Sequence, residues 1–130
     1  MFATLFVLFY VGHLLADYAF QTDHQAAHKA DRTRAGWRAN LDHAAAHVAT
    51  CAITLLTGMV VLGLSVSTLS AFVALAWIGG THAFIDRRWP IRWWMERTGS
   101  ADWAANGGAA HVDQTAHITA LALAALALAA

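Results

Sequence analysis

Charge, cysteine and proline are all scarce in this chain. Only 12% of its 130 residues are charged, against 58% hydrophobic, which is too apolar for an ordinary soluble domain of this size. The lone cysteine, Cys51, cannot close an internal disulfide and carries no redox inference. Its place in an apolar run reads as a small core residue rather than a ligand or nucleophile. The lone proline, Pro90, disfavours helix at Trp89 and suits the first turn of the helix that follows. No basic residue precedes the first apolar run and no small-x-small cleavage pattern follows it, so that run is expected to be a span rather than a signal peptide. The formal net charge is zero, and no nucleic-acid partner is expected.

What the chain does have is apolar length. Four runs approach the ~20 residues that a helix needs to cross the hydrocarbon core, so the lipid bilayer is the expected partner. The fold expected is all-α, a single integral-membrane domain over residues 1–130. It is an up-down-up-down bundle of four transmembrane helices at about 2–22, 42–64, 69–87 and 110–130, with a short interfacial helix between helices 3 and 4 at about 89–98. Asn40 or Asp42 is placed to cap the second helix, and the pair Gly79-Gly80 in the third would let a neighbouring backbone approach closely. The segment Thr22 to Asn40 reads as a solvated connection, in which His24 and His28 need no chemical role.

All eight basic residues lie in two connections, Lys29, Arg32, Arg34 and Arg38 in one and Arg87, Arg88, Arg92 and Arg97 in the other. The connection near Ser65 to Ser70 has none. The positive-inside rule then puts both basic loops in the cytoplasm and both termini on the outer side. Trp37, Trp89, Trp93, Trp94 and Trp103 fall in the same two loops, as an interfacial aromatic belt on one side would require.

Against this apolar background each span carries one polar pair at a spacing of four: His13 and Asp17, His43 and His47, His82 and Asp86, Asp113 and His117. That spacing puts each pair on one helix face. An ionisable group facing lipid costs at least ~2.5–3.5 kcal/mol, so the pairs should point into the bundle. In a bundle of alternating helices they also share a depth, on the cytoplasmic half.

Eight such groups crowded together without a counter-ion would be costly. Histidine and aspartate on adjacent turns can ligate one ion, so His13, Asp17, His43, His47, His82, Asp86, Asp113 and His117 are the candidate ligands. They would hold one or two divalent transition-metal ions. Mixed imidazole and carboxylate ligation suits zinc, iron or manganese, zinc being favoured, and argues against calcium or magnesium. Gln21, Gln114 and His111 are candidates for outer hydrogen bonds or substrate contacts, and no catalytic acid or base is assigned.

A site of this kind at the cytoplasmic edge of a bilayer suits hydrolysis of a lipid-like or membrane-associated ester or phosphoester. Two other classes fit the composition. A proton or metal-ion transporter also places His and Asp in spans, but Leu55 to Leu64 and Leu121 to Ala130 offer it no ionisable group in the outer half. A haem bundle would use facing histidines, beside which three aspartates are unnatural. The remaining reading is a structural membrane protein with a hydrogen-bonded polar core. The alanine-rich last helix leaves packing against a second copy, as a homo-oligomer, open.

The stretches Gly-His-Leu-Leu-Ala-Asp-Tyr-Ala-Phe-Gln-Thr-Asp (12–23), Leu-Asp-His-Ala-Ala-Ala-His (41–47), Thr-His-Ala-Phe-Ile-Asp (81–86) and Asp-Gln-Thr-Ala-His (113–117) together resemble a bacterial and phage family of small integral-membrane proteins, the domain of unknown function 3307. The resemblance covers nearly the whole chain. It implies four membrane helices, a bacterial inner-membrane location and matching positions at His13, Asp17, Gln21, His43, His47, His82, Asp86, Asp113, Gln114 and His117. It implies no established activity. A looser likeness to membrane-bound metal-dependent hydrolases with His-x-x-x-Asp motifs supports hydrolysis by analogy.

Overall fold

A computed structural model describes residues Met1–Ala130. The chain is 84% helical with no strand, and four of its helical stretches are long and apolar enough to cross a membrane: Phe2–Ala19, Arg34–Leu62, Thr68–Ile85 and Ala101–Ala129. In chain order the elements are α1 (Phe2–Leu14), a π-helical turn (Leu15–Ala19), α2 (Asp23–His28), α3 (Arg34–Leu62), α4 (Thr68–Ile85), α5 (Trp89–Arg97), α6 (Ala101–Trp103), a second π-helical turn (Ala104–Gly108) and α7 (Ala109–Ala129). The long helices pack in a ring, α1 against α3 and α7, and α4 against the same two.

Two zones fill the ring. At one end is an apolar core of Leu5, Phe9, Cys51, Leu55, Ala74, Ile78, Leu121, Ala124, Ala125 and Leu128. At the other end the buried side chains are polar, His13, His43, His47, His82, Asp86 and His117 among them. Outward faces carry Val60, Val61, Leu69 and Phe72, all exposed, as expected of helices whose solvent is hydrocarbon.

Local chemistry explains most of the boundaries. The first π-helical turn widens the end of α1 around Asp17; such turns are rare and frequently sit at functional sites. Thr22 and Gln25 form a reciprocal cap, Gln25 N donating to Thr22 Oγ1 and Thr22 N to Gln25 Oε1, so α2 stands as a short helix inside the connection expected to be loop. The cap expected at Asn40 or Asp42 lies instead at Thr33, whose Oγ1 accepts from Gly36 N at 3.0 Å, and α3 therefore starts at Arg34. Asn40 is fully buried within α3 and donates to the Ala83 carbonyl of α4 at 3.1 Å. A buried amide bonded across helices is doing packing work that a cap at the water boundary could not.

The close backbone approach also lies elsewhere. Gly79 faces the Val48 side chain and Gly80 faces open space, whereas a Cβ on Gly12 would sit 3.0 Å from both Cα and N of Cys51. Gly12 thus lets α1 and α3 touch one residue away from His13. Asn106 and Gly107 leave helical geometry, Gly107 at φ 99°, and kink the approach to α7. Beside them α5 buries Ile91 and Met95 under Ile85 and leaves Trp89, Trp93 and Trp94 exposed.

Candidate metal centre

The polar pairs of α1, α3, α4 and α7 converge. Two sets of side chains have ligating atoms within 4.8 Å of one another and could each hold a metal ion: Asp17, His43, His47 and His82 form one, and His82, Asp86 and His117 the other. His82 belongs to both. The π-helical turn brings Asp17 to α3, where its Oδ1 lies 3.2 Å from His43 Nε2 and 3.1 Å from His47 Nε2. In the second set Asp86 Oδ2 is 3.1 Å from His82 Nε2, and Asp86 Oδ1 is 3.9 Å from His117 Nε2. His43 Nε2 also approaches Asp86 Oδ2, at 3.6 Å, and so bridges the sets.

Six of the eight expected ligands fall in these sets. His13 and Asp113 do not; they touch the ligating groups instead. His13 Nε2 and the Gln114 amide lie 3.2 and 3.3 Å from Asp17 Oδ2, the oxygen facing away from His43 and His47. Asp113 Oδ2 and carbonyl stand 3.4 and 2.9 Å from His117 Nδ1, so Nε2 is the nitrogen left for the site. Partners of this kind fix the orientation and basicity of metal ligands. Gln21 places its amide nitrogen 2.8 Å from His43 Nε2.

His111 is outside the site. It is exposed and stacks on Trp103, with ring centroids 6.3 Å apart and planes 6° off parallel. Six residues before His117, it points about 120° round the helix from it. His24 and His28 are exposed too, their rings tilted against each other with centroids 4.8 Å apart.

One participant comes from the connection read as solvated loop. Lys29 is buried, and its Nζ lies 3.0 Å from Asp86 Oδ2. Arg87, also buried, holds that loop in place: its guanidinium donates to the Lys29 and Asp31 carbonyls at 2.9 and 2.6 Å and rests 4.1 Å over the Trp37 ring. Nothing in the sequence near Lys29 signals this, because the contact joins residues 57 positions apart.

The residues fit a metal on a direct test. Of the six buried side-chain polar atoms without a hydrogen-bond partner, four are imidazole nitrogens of these residues, His43 Nδ1, His47 Nδ1, His82 Nε2 and His117 Nε2, and a fifth, Asp86 Oδ2, has only its ion pair with Lys29 Nζ. The sixth is Asn40 Oδ1, one turn away on α3. Leaving such an atom unsatisfied costs about 1–3 kcal/mol, and buried polar groups in native proteins are almost always paired. The rings also crowd, His47 and His82 stacking at 3.4 Å between centroids.

Comparison with known proteins agrees with the family resemblance. The model of a family described as "Protein of unknown function (DUF3307)" matches residues 5–130. The chain belongs to the DUF3307 family. No curated protein and no solved structure matches it. The DUF3307 chain therefore brings no assigned chemistry with it, and its function must be read from the centre itself.

Proposed function

We propose that this DUF3307 protein is a membrane-embedded, metal-dependent hydrolase, with zinc the favoured ion, acting on an ester or phosphoester of a lipid-like or membrane-associated substrate. The observation that carries the reading is the pair of buried His/Asp sets whose ligating atoms lie within 4.8 Å of one another, with four of their imidazole nitrogens left without a hydrogen bond. A core built only to hydrogen-bond to itself would pair them.

His43, His47 and His82 offer nitrogen and Asp17 oxygen to one ion, and His82, Asp86 and His117 to a second or to an alternative position of the first. A divalent ion so held would supply Lewis acidity and a nucleophilic water near neutral pH. Hydrolysis then adds the water oxygen to the acyl carbon or phosphorus, breaks the bond to the leaving oxygen and returns a proton to it. The protein's share is orientation: His13 and Gln114 hold Asp17, Asp113 holds His117, and Gln21 stands at His43.

In this reading the four spans run up-down-up-down with the basic loops in the cytoplasm of a bacterial cell, the centre lies in the cytoplasmic half, and α5 rests among the headgroups. The apolar core that closes the other end of the ring, from Leu5 to Leu128, opposes an ion path through the bundle and favours an enzyme over a transporter.

Metal analysis of the protein purified in mild detergent, followed by turnover of ester and phosphoester panels, tests the proposal. A bound divalent metal and a hydrolysis lost in His82→Ala are expected. Failure to retain or take up any divalent ion would overturn it, as would metal-dependent ion flux in proteoliposomes with no hydrolysis.

A further inference from the structure

Above the metal centre is a cavity of about 340 Å³, a size ordinary for small-ligand sites. Gln21, Asp86 and Asp113 belong to the side nearest the centre, and Lys29, Arg88 and Arg92 also line the cavity. Three cationic side chains thus share a small space with the edge of a site read here as hydrolytic.

The two arginines are not engaged by local carboxylates. Lys29 pairs with Asp86, but neither Arg88 nor Arg92 makes an ion pair with any carboxylate of the chain, and Arg88 has only a carbonyl contact, to Ala26 at 3.3 Å. Arg88 is also the one non-glycine residue with positive φ, at 61°. L-residues seldom adopt that conformation, and where they do it often marks a functional site. Here it makes the sharp turn from α4 into α5 that leaves Arg87 buried in the Lys29 loop while Arg88, its neighbour, lines the cavity.

We propose that this cavity binds the phosphoryl group of the substrate, with the Arg88 and Arg92 guanidinium groups donating to its peripheral oxygens and Lys29 adding charge at the side of Asp86. The inference deepens the hydrolase reading, on which it rests for its chemistry, and narrows the substrate from esters at large to phosphoesters. A phosphoryl group carries up to about two negative charges and three acceptor oxygens, and forked arginine donors match that geometry better than a point charge does. A carboxylic ester offers no anion to hold.

Binding can be measured apart from turnover. Inorganic phosphate and phenyl phosphate are titrated calorimetrically into the full-length protein in detergent, with acetate as the carboxylate control, and metal content is measured on the same samples. Phosphate and phenyl phosphate should bind more tightly than acetate. The Arg88→Gln/Arg92→Gln variant should weaken that binding at least about tenfold, the loss expected for one charge-assisted contact, with metal content unchanged. Arg32→Gln/Arg34→Gln, a pair of exposed changes of equal charge outside the cavity, should bind as the parent does. Phosphate affinity unaltered by the double variant, no phosphate binding, or acetate bound equally well would each overturn the inference, even with metal present. Arginine-dependent phosphate binding to a protein that takes up no metal would uphold the anion site and overturn the hydrolase reading. Nanodiscs with and without phosphatidic acid separate the two sources of the group: competition with phenyl phosphate only in the acidic discs assigns a lipid headgroup, and equal binding in both assigns a soluble phosphoester.

Discussion

Lys29 Nζ stands 3.0 Å from Asp86 Oδ2, tying the first polar connection to the residue that ends α4. Both side chains are almost wholly shielded, at 11% and 4% exposure. Removing one partner of a buried pair strands the other, at about 3–5 kcal/mol. Lys29→Met should therefore destabilise the metal-free protein by about that amount, while a divalent ion on Asp86 would offset much of the loss. Thermal unfolding with and without zinc checks this: the rise in Tm on adding metal should be larger in the variant than in the parent. An equal rise in both would mean that Lys29 and metal do not meet at Asp86.

His82 is common to both ligand sets, whereas His117 belongs to one. His82→Ala should deplete all bound metal, and His117→Ala should spare the ion held by Asp17, His43 and His47. Metal-to-protein ratios after dialysis read the difference directly. If the two substitutions deplete metal equally, there is a single ion bound by both sets together.

Much of this centre is legible in the sequence because the spacing of four is a property of one helix. His13 with Asp17 and His82 with Asp86 can be paired without knowing what faces them. What the spacing does not encode is depth of ligation. His13 and Asp113 share the pattern of the ligands yet turn toward Asp17 and His117, since the partner helices decide which atom of a pair reaches the centre. Nor does it encode contacts across the chain. Lys29 is a lysine in a basic loop until Arg87 and α4 bury it, and Asn40 looks like a cap until α3 extends two turns before it. His111, a candidate for an outer hydrogen bond or a substrate contact, is a polar neighbour in sequence that the helical turn carries to the exposed face beside Trp103.

Arg87 acts on the centre only through the loop that it holds. Its guanidinium donates to two carbonyls and stacks on Trp37, and each charge-assisted bond is worth about 1.5–3 kcal/mol. Arg87→Met should free the segment around Lys29 to Asp31 without removing a ligand. Limited proteolysis should then cut in that segment, and metal content should change less than in His82→Ala. Protection equal to the parent's would show that α2 and α3 hold the loop unaided.

Gly12 offers the sharpest test of how the bundle builds the site. Its missing side chain lets α1 lie against α3, where a Cβ would meet Cys51 Cα and N at 3.0 Å and Sγ at 3.1 Å. Overpacking of this sort costs about 1–3 kcal/mol. Because α1 carries Asp17, a displacement here should also draw that carboxylate from His43 and His47 and weaken metal binding by about tenfold, as loss of a supporting contact does. Gly12→Ala should show both effects in thermal unfolding and metal titration. Cys51→Ala alone should keep its metal, since Sγ donates to the Phe9 carbonyl and is in neither ligand set. The double variant should remain impaired, because the obstructing Cα and N persist. Rescue by Cys51→Ala would instead place the conflict on the sulfur and leave the backbone contact without a role in seating Asp17.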